Sequence, residues 1–269
     1  MNRSKAFRPY INYANAAYCK ASDTLSWTCE NCPSQPTFQP VASGGEGAVT
    51  QYWYVGYDLD LATVVVGHQG TKTEAIIPVL IDANFIPGPL SQSLFPGISS
   101  SVEVHSGFRD SHSRSAEGVL AGVQAALAKY DTTSVTLTGH SLGAALALLD
   151  DVYLPLHLPP NTTFTTVAFG TPRVGNQAFA DYVDANTNFT HVNNLKDIVP
   201  TVPPSLFGYH SASGEVHIDY PSGQWVRCSG QDNTDAACIL GDVPNIFIGN
   251  VTNHLGPYLG VEFGCPDDT

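Results

Sequence analysis

The chain has 269 residues, 43% apolar and only 13% charged. Such a chain can bury a sizeable core, which excludes intrinsic disorder, and no apolar run reaches the ~18 residues of a membrane span. Eleven Lys and Arg against 24 Asp and Glu leave a net charge of −13 with His neutral, the wrong sign for a protein that neutralises nucleic-acid phosphates.

The expectation is one domain over residues 1–269. In chain order, the first 40 residues read as irregular apart from a helix around Phe7–Cys19. Thr63–Gly67 is a short β-branched run, read as a buried strand. Ala75–Ile81 is apolar but broken by Pro78, and 85–100 is rich in Pro, Gly and Ser; together they read as a surface excursion. Val102–His105 is read as a strand. Ala116–Tyr130 is read as a helix with Val119, Leu120, Val123, Ala126 and Leu127 along one face. Strand and helix then alternate: Ser134–Thr138, Leu142–Tyr153, Phe164–Phe169, Asn176–Ala185 and Thr190–Asn193. Val216–Asp219 and Ile246–Ile248 are further strands. This alternation predicts an α/β fold, a mostly parallel sheet with helices on its faces. Ligand sites on such sheets lie beyond the carboxyl ends of the strands.

The six cysteines, Cys19, Cys29, Cys32, Cys228, Cys238 and Cys265, cluster towards the two ends. Cys29-x-x-Cys32 has no second Cys pair or close His to complete a zinc site, and it lies in a Pro- and Ser-rich stretch rather than at the strand-to-helix turn of a redox centre. Metal binding and free thiols therefore rank below disulfides. Position favours Cys19–Cys265, tying the termini together, with Cys29–Cys32 and Cys228–Cys238 closing local loops. The acceptor pattern for N-glycosylation occurs at Asn161, Asn188 and Asn250, and also at Asn2. Both features point to a secreted, extracellular protein. Met1-Asn-Arg-Ser-Lys leads into no apolar leader core, so secretion implies a leader already removed.

Gly139-His-Ser-Leu-Gly143 matches G-x-S-x-G directly between a predicted strand and a predicted helix. In that context the turn is tight and strained, and it presents Ser141 at the sheet edge with the helix N-terminus aimed at the site. A serine hydroxyl needs a base, usually a His oriented by a buried carboxylate, and here the expected order is Ser, acid, His. Asp197 follows the Thr190–Asn193 strand at once. Asp150, Asp151, Asp181 and Asp184 fall in predicted helices. The later histidines are His210, in a turn, His217, in a strand, and His254, in a late loop. Topology favours His254 without removing the others. His140 is read as packing beside the turn. No His-x-x-x-His or other metal-spaced cluster is present, so neither a metal nor a cofactor is expected.

Several further motifs stand in order: Gly67-His-Gln-Gly-Thr71, Val104-His-Ser-Gly-Phe108, Phe169-Gly-Thr-Pro-Arg-Val-Gly175, Asn194-Leu-Lys-Asp-Ile-Val-Pro200 and Asn253-His-Leu255. With the serine motif they make the chain, over about 54–265, resemble the filamentous-fungal class 3 lipases, a family shared with the type-A feruloyl esterases. Gly67-His-Gln-Gly in place of the commoner aromatic-Arg-Gly resembles the basidiomycete branch. The resemblance implies an α/β-hydrolase fold with Ser141, Asp197 and His254 as a triad. It implies oxyanion donors at Thr71 and Leu142, a lid at about 72–81, and Asp82 supporting the oxyanion loop. The family's three disulfides match the pairs favoured by position. The activity implied is that of a secreted serine carboxylic ester hydrolase, a triacylglycerol lipase working through an acyl-enzyme on Ser141. A hydroxycinnamate (feruloyl) esterase is the alternative, suggested by Pro78 and the polar 91–101 stretch. A non-catalytic binding scaffold is the third reading. The expected partner is an ester substrate at a lipid–water interface, for a monomer with no transmembrane segment.

Overall fold

The computed structural model describes residues 3–71 and 86–266. The lid expected at 72–81, Asp82 and Asn2 lie outside the described residues. Strands β1 (Phe38–Gly44), β2 (Trp53–Asp58) and β3 (Thr63–His68) pair antiparallel in succession. The chain then runs through β4 (Pro87–Pro89), β5 (Glu103–His105), β6 (Ser134–His140), β7 (Thr163–Phe169), β8 (Gly175–Asn176) and β9 (Phe189–Asn194). It ends with β10 (Tyr209–His210), β11 (Glu215–Ile218) and β12 (Trp225–Arg227).

Among the described residues, eight strands make one sheet in the order β1-β2-β3-β6-β7-β9-β11-β12. Its centre from β3 to β11 is parallel, and its edges are antiparallel. The fold is therefore α/β with a mostly parallel sheet. Strand β3 shows why: all six of its residues are buried, and a Val-Thr run covered on both faces belongs at the middle of a sheet. Val64 and Val66 pack under the helices Ser106–Tyr130 and Leu142–Tyr153, while Val65 packs on the opposite face with the helix Arg8–Ala16. The two faces thus follow the two-residue period of a strand.

The strand read at Val102–His105 is present as β5 and joins a second, four-stranded sheet, β10-β8-β5-β4. Two readings change in the structure. The helix read as starting at Ala116 begins at Ser106, capped by His105, whose Nδ1 accepts from the Gly107 N–H at 3.1 Å. Its first turns bury Ser111, His112 and Ser115, and polar residues facing inward hide the apolar period. Ile246–Ile248 is not a strand. Asn245 caps a turn there, its Oδ1 accepting from Phe247 N–H and its carbonyl from Ile248 N–H, so the backbone bonds locally instead of joining a sheet edge.

The disulfides are Cys19–Cys265, Cys29–Cys32 and Cys228–Cys238. The first joins the N-terminal helical segment to the end of the chain, across 246 residues.

Candidate active site

Ser141 sits between β6 and the helix Leu142–Tyr153, with φ 59° and ψ −127°. A side-chain-bearing residue adopts that conformation only where its surroundings force it. Here the cause is the closeness of the flanking chains. A Cβ on Gly139 would lie 2.2 Å from the Gly143 carbonyl oxygen, and one on Gly143 would lie 2.2 Å from that of His68. Only glycine fits at either position.

The second contact brings the end of β3 against the start of the serine's helix. Gln69 is held to Tyr52 twice, by its own N–H to the Tyr52 carbonyl and by its Oε1 to the Tyr52 N–H, both at 2.8 Å. Gly70 leaves no room for a Cβ beside the His140 carbonyl and the Tyr18 hydroxyl. Thr71, buried, comes next. Leu142 is the first residue of the helix, so its N–H has no intrahelical acceptor.

Asp197 and His254 come together across 57 residues. His254 Nδ1 lies 2.8 Å from Asp197 Oδ2, and both side chains are fully buried. The other carboxylate oxygen accepts from the Val199 N–H at 2.9 Å. An acceptor-only carboxylate fixes the proton on Nδ1. Nε2 therefore carries the lone pair, and it is buried without a hydrogen bond among the described residues. Gly170, at φ 54°, closes over this pair: a Cβ there would stand 2.8 Å from the imidazole and 3.1 Å from Asp197 Oδ2.

His140 does more than pack. Its Nε2 faces the His254 carbonyl at 2.8 Å and its Nδ1 faces the Tyr18 hydroxyl at 2.6 Å. Since a carbonyl only accepts, Nε2 donates to it and Tyr18 donates to Nδ1. Burial first, and the nearby His254 second, hold the His140 pKa well below the usual value, so the ring stays neutral and keeps that tautomer. It stacks on Phe263 and lies 4.3 Å from the His254 ring. The residue preceding the serine thus carries the histidine's backbone. Asn194 adds a tether through Nδ2 to the Asn253 carbonyl at 2.8 Å.

The other candidates are placed elsewhere. His210, read from the sequence as lying in a turn, is a residue of β10 in the small sheet and pairs with Asp232. His217 is buried with its ring nitrogens facing the Ala237 and Leu195 carbonyls. Asp181 and Asp184 meet Gln231 at the surface. Asp151 is buried, and burial pushes its carboxyl up to about 7. Asp150 is buried between two imidazoles, His68 Nε2 at 2.6 Å and His112 Nε2 at 2.8 Å. Burial alone would raise its carboxyl, but His68 and His112 outweigh it and bring the pKa down to about 2. An acidic pair inside a helix otherwise rich in Ala and Leu is the signal that marks this cluster in the sequence. Among the described residues, Glu215, Cys228 and Cys238 bring three potential metal-donor atoms within 4.8 Å of one another, but both sulfurs are tied in a disulfide.

A serine in a strained strand-to-helix turn, with a buried Asp–His pair at the carboxyl ends of a parallel sheet, defines an α/β-hydrolase. The comparisons narrow this. The lipase (class 3) family model matches residues 65–207. A secreted mono- and diacylglycerol lipase, MDL5 of Malassezia globosa, is 32% identical over 211 residues; the match covers 76% of this chain and 66% of that protein, just under two thirds of its length. Lipase II from Rhizopus niveus superposes with a TM-score of 0.84 at 26% identity, over 98% of this chain and 97% of that one. A triacylglycerol lipase whose catalytic centre is formed by a serine protease triad superposes with a TM-score of 0.82 at 26% identity, over 97% and 95% of the two chains. The chain belongs to the class 3 lipases.

Proposed function

We propose that this chain is a secreted serine ester hydrolase that cleaves acylglycerols. The carrying observation is the buried Asp197–His254 pair, whose imidazole keeps its Nε2 lone pair beside the Ser141 turn. Ser141, Asp197 and His254 are the triad in this reading. The Ser141 hydroxyl attacks the ester carbonyl while Nε2 takes its proton, and Asp197 stabilises the imidazolium. The negative charge that develops on the carbonyl oxygen is met by the Leu142 N–H and by Thr71. Each such donor lowers the barrier by about 3 kcal/mol in a comparable site. His254 then returns the proton to the departing alcohol, and water repeats the sequence to free the acid and Ser141.

Acylglycerol as substrate is supported by the related mono- and diacylglycerol lipases and by the triacylglycerol lipase with the similar fold; they favour it over hydroxycinnamate esters. A lipid–water interface as the working surface is supported by exposed apolar side chains. Leu206 is 88% and Phe247 91% exposed, on two loops that flank one cavity of about 570 Å³. The second of these loops runs directly into the segment carrying His254. Exposed apolar clusters of this kind mark lipid or protein contacts. Secretion is supported by the secreted relatives, the disulfides and the exposed sequon asparagines Asn161, Asn188 and Asn250. Among the described residues no helix is long and apolar enough to cross a membrane. The reading is completed by one domain, active as a monomer without metal or cofactor.

The test is hydrolysis of tributyrin from below to above its solubility limit, with Ser141→Ala in parallel. A rate that rises when droplets form and disappears in the variant supports a lipase using Ser141. Wild-type turnover by Ser141→Ala overturns the assignment, and saturation below the limit with no rise at droplets overturns the interfacial part.

A further inference from the structure

The His68–Asp150–His112 cluster lies outside the triad, and it is an expensive thing to bury. Fully buried carboxylates are rare unless each oxygen is satisfied. Here each oxygen receives one imidazole Nε2, at 2.6 and 2.8 Å. The three residues come from three elements: the end of β3, the helix Leu142–Tyr153 and the helix Ser106–Tyr130. The His112 ring is boxed by Phe95 and Tyr153, with centroids 5.5 and 5.3 Å away, so that arm has little room to move.

What distinguishes the cluster from an ordinary core ion pair is where His68 stands. It is gripped twice by the same helix. Its carbonyl oxygen is pressed against Gly143, and its ring is held by Asp150, two helical turns further on. Two contacts that far apart stop the helix from sliding along β3 or tilting away from it. The first residue of that helix is Leu142, and three residues after His68 is Thr71. The two oxyanion donors therefore sit on two bodies whose relative position Asp150 locks.

We propose that His68, Asp150 and His112 form a buried strut that positions the oxyanion hole, with Asp150 and His68 as positioning residues for the reaction. This rests on the reading of Thr71 and Leu142 as oxyanion donors. Loss of the strut moves the donors relative to the tetrahedral oxygen, and so lowers transition-state stabilisation while leaving ground-state ester binding in place.

The experiment is Asp150→Asn. The amide keeps the shape but loses the charge, and it can meet both rings only if one ring moves its proton from Nε2 to Nδ1. Both Nδ1 atoms are buried with no hydrogen-bond partner among the described residues, so one arm of the strut is weakened. Turnover of p-nitrophenyl butyrate is measured together with inhibition by phenylboronic acid, whose tetrahedral adduct places an oxygen in the hole, and with the melting temperature. The expected result is a kcat lower by about tenfold to a hundredfold, KM within twofold of wild type, and boronate affinity lower in proportion. A folded variant with wild-type kcat and boronate affinity but a lower Tm overturns the proposal and leaves a purely stabilising cluster. If Asp150→Asn does not fold, His68→Gln and His112→Gln break one arm each. A larger kcat loss for His68→Gln supports the strut, and wild-type kcat in both overturns it. Ser141→Ala, run alongside, separates the two failures: an inactive Ser141→Ala with an unaffected Asp150→Asn rejects only the strut, and an active Ser141→Ala rejects the catalytic reading itself.

Discussion

Replacing Gly143 by Ala tests the geometry of the site with one methyl group. The added Cβ would lie 2.2 Å from the His68 carbonyl oxygen and 2.8 Å from the Gln69 carbonyl carbon. Both are backbone atoms, so no side chain can swing aside. Reaching even the 3.0 Å limit of real Cβ contacts requires a separation of 0.8 Å, and ordinary contact at 3.4 Å requires 1.2 Å. The helix carrying Leu142 and the strand end leading to Thr71 must therefore part by about 1 Å. Displacements of that size cost about 10²-fold in rate when they fall on groups that must meet a transition state. The stability cost of such overpacking is about 1–3 kcal/mol, partly offset by the ~1 kcal/mol that Ala gains over Gly inside a helix. The protein should remain folded, and kcat/KM for p-nitrophenyl butyrate should fall about 10²-fold, mainly through kcat. A cooperative thermal transition with wild-type kcat would show that the Gly143–His68 contact does not set the donor spacing.

Asp197→Asn should lower kcat by about 10⁴-fold with little change in Tm, because the amide can present an N–H to His254 Nδ1 and so favour the wrong tautomer; a loss under tenfold would count against Asp197. Replacing both Cys19 and Cys265 by Ser removes the cross-link that closes almost the whole chain and should cost about 2–5 kcal/mol in urea unfolding, with kcat unchanged in the folded fraction. Asp151 binds a proton more tightly in the folded state, because burial raises its carboxyl to about 7. Its contribution is therefore neutral below the unfolded value near 4 and turns destabilising as pH rises towards 7, reaching roughly 4 kcal/mol at ~1.4 kcal/mol per pKa unit. Asp151→Asn should be more stable than wild type at pH 8 and no more stable at pH 3.5; a gain independent of pH would refute the assignment.

Much of the fold and the site is readable in the chain because the relevant signals are local. The helix Leu142–Tyr153 announces itself by an Ala-Leu run directly after the serine turn, and the structure starts and ends it at those residues. The Thr63 strand is readable because β-branched residues buried on both faces need no alternation. The nucleophile candidate is local too, since the same two glycines that make the motif also make the turn possible. What escapes is whatever depends on residues distant in sequence. Ile246–Ile248 has the composition of a strand, yet it joins no sheet among the described residues, and the side chain of Asn245 holds it in a turn instead. The helix beginning at Ser106 is hidden because His112 faces inward to Asp150, 38 residues away, and a buried His interrupts an apolar stripe as a surface residue would. His140 shows the same limit inside the motif itself. Its neighbours in the sequence say only that it flanks a turn, while its hydrogen bonds to Tyr18 and the His254 carbonyl, 122 and 114 residues away, make it the support on which the histidine's backbone rests. The buried imidazoles are thus legible as residues but not as roles, because a histidine's role is set by which partner each ring nitrogen meets, and for His140 and His112 those partners come from residues distant in the chain.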